Sequence, residues 1–459
     1  MTGLRQSTGG AGAPPAALDR PWAPRRFDLE AQRELAATLA PVLLTVMFAY
    51  VLIPNTPFST ESIDKAAAAE SGNLLNRVVL FGTFLAALPI LLVRLGGVLT
   101  LLARNWLGGA IVVLSFVSFA WASHPDLTIR RGIAFGTVYL TLAILVAAAR
   151  SSTALFRPFV LIIGVVTLLN IFVLVAMPEV SWTPIGESGI YDQKNTAGTM
   201  ALLAVVILGT AWFLLDRGWA RVCVGAIFVM AWYFLIVSRS KTSLGLALVI
   251  MVLGPALYLL ARSGRQLRFL TLLLALTVLI AGLVIGSAMG VTDEELRLAL
   301  FGDLTFSLRT EIWQHVLLQI GERPWFGHGF GSFWDIGAKL NPIRSAHPEA
   351  FFMNAQIINT GHNGYLDHLL QTGIVGFSLS VAAILRCLFV LHASAARTDD
   401  RQERVSLVGF ISLAICLVLY NFLESYLFRT GDPLGYLFFL IMLLGEETRR
   451  RLLRTGVTA

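Results

Sequence analysis

Apolar runs of about 20 residues recur along the chain, separated by short polar segments. A bilayer core of ~30 Å takes about 20 helical residues to cross. The pattern therefore predicts about twelve membrane helices: 38–54, 74–93, 104–122, 132–149, 158–177, 196–215, 219–237, 242–261, 268–288, 363–392, 405–424 and 431–447. The expected fold class is all-α, a polytopic membrane protein with helices 1–9 over 38–288 and helices 10–12 over 362–447.

Three stretches break the pattern. Residues 1–37 are rich in Gly, Pro, Ala and Arg and have no early apolar core, so a disordered cytoplasmic tail is expected rather than a cleaved signal. Residues 448–459 open on "TRRRLLR" and read as a second, basic tail. Residues 289–361 form a large loop before the tenth helix. Within it, "LRTEIWQHVLLQI" (308–320) puts Arg309, Trp313, Val316 and Ile320 on one helical face, as an amphipathic helix requires. "GHGFGSF" lacks the strand that precedes a phosphate loop and reads as a flexible aromatic turn.

Composition agrees with the pattern. Only 14% of residues are charged, against about 25% in soluble domains, and the mean hydropathy is +0.73. The net charge of +7 is informative mainly through its placement. With the amino terminus set in the cytoplasm, most of the 35 Lys and Arg fall in the tails and the even-numbered loops, as the positive-inside tendency requires. Both termini are then cytoplasmic, and the large loop lies outside. No nucleic-acid partner is implied. Cys223, Cys387 and Cys416 lie in apolar runs without a CxxC spacing and read as packing residues.

Candidate chemistry gathers at the outer ends of the helices. "YDQKNTAG" carries Lys194 and Asn195, and "VSRSKTSLG" carries Arg239 and Lys241. Arg309 lies in the loop, "GHNGYLDHLLQTGIVG" carries His362 and Asn363, and "ESYLFRTGDP" carries Glu424 and Arg429. Taken singly, the cations read equally well as anchors reaching for headgroups, and His362 as a helix-start residue. Taken together, five cations facing one side run against the positive-inside tendency. Such a set suits a pyrophosphate, and a neutral histidine beside it suits removal of a hydroxyl proton near pH 7. No HExxH, paired CxxC, DxD or Walker spacing occurs, so neither metal nor cofactor is expected, and the donor is not expected to be a nucleotide.

These motifs resemble the O-antigen ligase/polymerase superfamily of bacterial membrane glycosyltransferases. "YDQKNTAG" resembles its K-N-x-x-G element, and "SRSKTSLG" its S-x-S-R-[TS] element. "SLRTEIWQHVLLQIGERPWFGHGFGSF" resembles its R-x-x-[IL]-W…P-x-x-G-x-G-x-G-x-F block, and "GHNGYLDHLLQTGIVG" its H-N-x-x-L-x-x-L-x-x-x-G-[IL]-x-G signature. Together they cover roughly residues 185–380.

The resemblance implies a GT-C-like bundle in the bacterial inner membrane with its site on the periplasmic face. It implies metal-independent, inverting transfer of a glycan from an undecaprenyl-diphosphate-linked donor to a hydroxyl acceptor. Carried over by motif, His362 and Arg309 are catalytic. The diphosphate and substrate set is Lys241, Arg239, Lys194, Asn363, Asn195, Arg429 and Glu424. Lys241 stands where the family has arginine, which keeps the charge and loses the bidentate fork. The segment "FLESYLFRTGDPLGYLFFLIMLL" is most similar to the rhizobial, ExoQ-like exopolysaccharide polymerases. Partners implied are membrane lipids, a lipid-linked or free acceptor glycan, and a chain-length regulator or export complex. An O-antigen ligase is the alternative acceptor reading. A lipid-linked oligosaccharide flippase is the alternative of another class, and a non-enzymatic scaffold subunit is a third.

Overall fold

The computed structural model describes residues 29–54, 58, 74–216, 218–264, 305–334, 336 and 360–455. The regular elements there are all helical: α1 Leu29–Leu52, α2 Leu74–Arg104, α3 Trp106–Val117, α4 Pro125–Ala148, α5 Ser152–Ala176, α6 Pro178–Ser181, α7 Lys194–Leu214, α8 Gly218–Val237, α9 Lys241–Arg262, α10 Thr305–Glu322, α11 Gly364–Arg397, α12 Arg401–Tyr420 and α13 Pro433–Arg454. A 3-10 turn, Ser118–Ala120, follows α3. Among the described residues, nine helices are long and apolar enough to cross a membrane. The protein is a multi-pass membrane protein.

The expected spans map onto this set with informative differences. The third is a shorter apolar helix, Trp106–Ala120. The ninth, 268–288, lies outside the described residues. The twelfth is α13, whose second half carries Glu446, Glu447 and four arginines. Residues 29–37, expected as tail, are the first turns of α1, because "LEAQRELAA" is made of strong helix formers. Residues 448–454 are likewise helix, held by Glu447 bonding Arg450 at 2.7 Å and Arg451 at 3.1 Å. The eleventh span ends at Tyr420, so Glu424 lies in the connection 421–432, beyond the helix.

The core is built on α13 and α7. Every residue of α13 from Leu434 to Thr448 is buried, and α7 is buried continuously from Ala197 to Leu208. A helix that is apolar on all sides belongs at the centre of a bundle. α13 packs on α4 and α11, while α7 packs on α5, α8, α9 and α12. Phe135, Phe330 and Phe439 interlock at 4.8 and 4.9 Å between ring centres, tying the outer loop to this core. α2, α8 and α9 lie at the periphery and expose Leu92, Val229 and Val252. Exposed apolar side chains in that pattern are a lipid-facing surface.

The starts of α7, α9 and α11 and the end of α12 meet at one end of the bundle. That end carries the site.

Candidate functional site

Beyond Tyr420 the chain turns sharply before α13. Asn421 holds the turn, its Oδ1 accepting from the backbone N–H of Tyr426 and Leu427 at 3.1 and 2.9 Å. The first N–H of α11, on Gly364, donates to the Asn421 carbonyl at 2.8 Å. A side chain at Gly364 would collide, since a Cβ there lies 2.1 Å from Asn421 Oδ1. This close approach seats the start of α11 against the turn and sets His362 beside Glu424.

Glu424 is the hub. Its Oε2 lies 3.0 Å from His362 Nδ1, and its Oε1 accepts from Arg309 Nη2 at 3.0 Å and Asn195 Nδ2 at 3.3 Å. Arg309 Nη1 donates to the Leu423 carbonyl at 2.6 Å. Four chain segments therefore converge on one largely buried carboxylate. Burial alone would raise its pKa. The His362 hydrogen bond and the His362 and Arg309 charges outweigh burial and hold the carboxyl below its ordinary value. An ionised carboxylate only accepts, so Nδ1 of His362 carries a proton, and in the neutral ring Nε2 is the nitrogen left to take one. This is the arrangement of an oriented general base.

The backbone around the site is strained. His362, Arg239 and Phe428 adopt φ of 49°, 53° and 57°. Positive φ is uncommon outside glycine and costs of order 1–3 kcal/mol, so the surroundings must enforce it. At His362 the enforcement comes from Asp367. Its carboxylate accepts the Gly361 N–H at 3.0 Å, Trp334 Nε1 at 2.8 Å and Ser425 Oγ at 2.5 Å. Trp313 Nε1 donates to the Gly361 carbonyl at 2.8 Å. The neighbours of both His362 and Glu424 are thus gripped by the same buried acid.

The "GHGFG" turn is packed rather than flexible. Gly327, Gly329 and Gly331 adopt φ of 65°, 98° and 64°. Cβ atoms on them would meet the 370–372 backbone, Ala122 and Arg131 at 2.4–2.6 Å. α11 breaks at Gly373, φ 64° and ψ −171°. The turn fills the break: His328 and Gly329 donate to the Leu370 and Gln371 carbonyls, and Ile374 and Val375 donate to the Pro324 and Trp325 carbonyls. His328 is buried, with Nε2 2.8 Å from the Gln319 carbonyl. Burial pushes its pKa down, as suits a structural, neutral ring.

The candidate residues divide into groups. His362, Arg309, Asn195 and Glu424 are brought together. Asn363 is the N-cap of α11, its side chain accepting from Tyr365 and Leu366 N–H. Lys194 reaches the Ile185 carbonyl at 3.4 Å. Arg239 precedes α9 and Lys241 begins it, both with exposed side chains, and α9 is fastened to the end of α12 through Ser243 Oγ and Tyr420 OH, 3.0 Å apart. Arg429 lines a separate cavity with Arg131 and Asp367. Of the five expected cations, Arg309 is bonded to the carboxylate that holds His362, and Arg429 lines the neighbouring cavity. Asp367 was not singled out from sequence, and Trp313 was placed on the amphipathic face of 308–320 without a role at the site. An acid inside the apolar comb "GYLDHLL" was the available signal for the first. Among the described residues, no group of three or more His, Cys, Asp and Glu has the geometry to hold a metal.

A family model described as O-antigen ligase matches residues 226–381, which takes in the arginine–tryptophan block and the H-N signature. The chain is 23% identical over 337 residues to the exopolysaccharide production protein ExoQ of Rhizobium meliloti, covering 70% of this chain and 73% of that protein. It is 24% identical over 130 residues to an uncharacterized protein of Haemophilus influenzae, covering 28% and 31% of the two. The resemblance drawn from the motifs is borne out by these matches.

Proposed function

We propose that the protein is an inverting glycosyltransferase of the O-antigen ligase/polymerase type that extends an exopolysaccharide. The carrying observation is His362, aimed by Glu424 and adjoined by Arg309. His362 Nε2 takes the acceptor hydroxyl proton as the oxygen bonds to the anomeric carbon. The bond from that carbon to the diphosphate breaks on the opposite face, and the electron pair leaves with the diphosphate. One displacement inverts the carbon. Arg309 keeps unused N–H donors beyond its bonds to Leu423 and Glu424, and these meet the charge on the leaving group. Lys194, Arg239 and Lys241 form the outer part of the diphosphate site. Side-chain cations take the part that a metal ion plays in other transferases.

An undecaprenyl diphosphate donor entering from the outer leaflet suits a cationic site at a helix end of a membrane bundle. The opposite end carries Arg104, Arg150, Arg401 and Arg450, which favours that end as cytoplasmic and the site as periplasmic in the inner membrane. Similarity over 70% of the chain to a protein named for exopolysaccharide production favours polymerisation. The matched family model favours O-antigen ligase as a second reading, with lipid A–core as acceptor.

The test is complementation of a strain lacking the gene. His362→Ala and Arg309→Ala, made at normal protein level, are expected to abolish long polymer. Normal polymer from either variant overturns the assignment. Analysis of the accumulated material separates the acceptors: uncapped lipid A–core indicates ligase, and single lipid-linked repeats indicate polymerase.

A further inference from the structure

A crevice opens at the far end of the bundle from His362. α7 and α9 touch near their starts, where a Cβ on Gly198 would lie 2.3 Å from Ser240 Cβ and 3.0 Å from Ser243 Oγ. Further along, both lean on α12 instead, Thr210 against Gly409 and Gly254 beside Ser412. Pro255 stands inside α9 at this level, and a helix-interior proline is the usual cause of a bend. Between the two helices lies a space of about 380 Å³, bounded by Val405 and Val408 of α12. Its lining is almost wholly apolar, and Thr210 Oγ1 is spent on the Val206 carbonyl of its own helix at 2.8 Å. Phe213, Met251 and Leu259, also in the lining, are exposed, so the crevice opens sideways to the membrane.

An apolar crevice open to a bilayer is filled by the hydrocarbon around it. At about 30 Å³ for a water-sized group, the space takes on the order of a dozen methylenes. Charge at the mouth selects the lipid. Arg401 lines it, donating to the Phe213 carbonyl at 3.0 Å and lying 3.8 Å from Asp216. Arg262 ends α9 over the ring of Tyr258, 6.0 Å from its centre, and among the described residues it has no acidic partner. Two cations therefore stand against one acid where a headgroup would lie. The Gly198–Ser240 contact closes the end nearer the site, so the crevice is entered from the leaflet opposite the site.

We propose that this crevice binds an anionic phospholipid of the leaflet opposite the site, one acyl chain lying between α7 and α9 and the phosphate meeting Arg262. The site needs only the multi-pass fold and stands whatever the chemistry at His362. A chain held there braces α7 against α9, the helices that carry Asn195 and Lys241 at their other ends.

The experiment is native mass spectrometry of the full-length protein released from detergent, titrated with phosphatidylglycerol or with zwitterionic phosphatidylethanolamine. A Cβ on Gly254 has room, its nearest neighbour being Ser412 Oγ at 3.6 Å, so Gly254→Leu fills the crevice without a clash. It is expected to weaken the tightest phosphatidylglycerol site by roughly tenfold or more. Arg262→Gln is expected to weaken phosphatidylglycerol by about fivefold and leave phosphatidylethanolamine unchanged. Arg454→Gln, an exposed arginine elsewhere at the same end, should bind as wild type. Where Gly254→Leu does not fold, Leu259→Trp blocks the crevice from its rim and carries the same expectation. Wild-type affinity in the blocked variant, or equal affinity of the wild type for the two lipids, overturns the proposal. So does displacement of phosphatidylglycerol by undecaprenyl phosphate, which would give the crevice to the donor's chain. A photo-crosslinker at Met251 that captures residues 265–304 rather than lipid overturns it too, by making this chain the occupant.

Discussion

At one end of the bundle Glu424 gathers His362, Arg309 and Asn195, which are 62, 115 and 229 residues away in sequence. At the other end Glu447 gathers Arg450 and Arg451, three and four residues along the same helix. Both are buried carboxylates bonded by two basic side chains. The second is a fastener: helix geometry alone supplies the spacing, and Arg451 also bonds the Ala149 carbonyl at 2.7 Å, pinning α13 to the end of α4. The first exists only once the fold is complete, and strained backbone accompanies it. A local ion pair tells of stability. A carboxylate assembled from four segments, with a histidine ring aimed by it, tells of chemistry.

Four experiments sharpen or break that contrast. The largest effect is expected from His362→Ala, which should lower the transfer rate by about 10²–10⁴, the usual worth of a general base, in a protein that still shows a cooperative thermal transition. Glu424→Gln comes next. It frees the His362 tautomer and leaves Arg309 facing a neutral amide, so activity should fall by about 10²-fold or more. It also carries a pH signature. Burial opposes ionisation of Glu424, and His362 and Arg309 more than restore it, so its folded pKa is depressed. Its contribution to stability is therefore present above the ordinary carboxylate pKa of about 4.3 and lost as pH falls through the folded value. Melting temperature of the wild type should drop toward acid, and Glu424→Gln should flatten that dependence.

Third, Glu447→Gln should destabilise by about 3–5 kcal/mol, because it strands buried guanidinium charge. Activity per folded molecule should hold. A loss of activity at full stability would erase the distinction between the two ends. The smallest effect is expected from Asp367→Asn, which weakens the grip on Gly361 and Ser425 without removing a reacting group. A fall of about tenfold in kcat with little change in KM, and recovery of part of it in Asp367→Glu, marks a positioning residue.

Much of this was legible in the chain. The helices, the amphipathic segment 308–320 and the prominence of His362 and Arg309 follow from periodicity and motif. Glu424 was legible as an acid beside an apolar run, but its rank was not, because nothing local tells that residues 195, 309 and 362 meet there. The division of the five cations was hidden for a related reason. Sidedness predicts which end a charge occupies, and says nothing of whether Arg429 turns toward Glu424 or toward Arg131. The glycines of 327–331 are punctuation in the sequence. Their need for positive φ and close packing is visible only against the broken helix that they fill.

That break has a mechanical consequence. Where α11 parts at Gly373, its free carbonyls and N–H groups are spliced to residues 324–329 by four main-chain hydrogen bonds. The outer turn is in effect a spare coil of α11, clamped like a shim in a split beam. It cannot swing aside as a flap without unzipping the helix that begins just after His362. On the proposed function, a lipid-linked substrate would reach the histidine by a route that leaves this clamp shut.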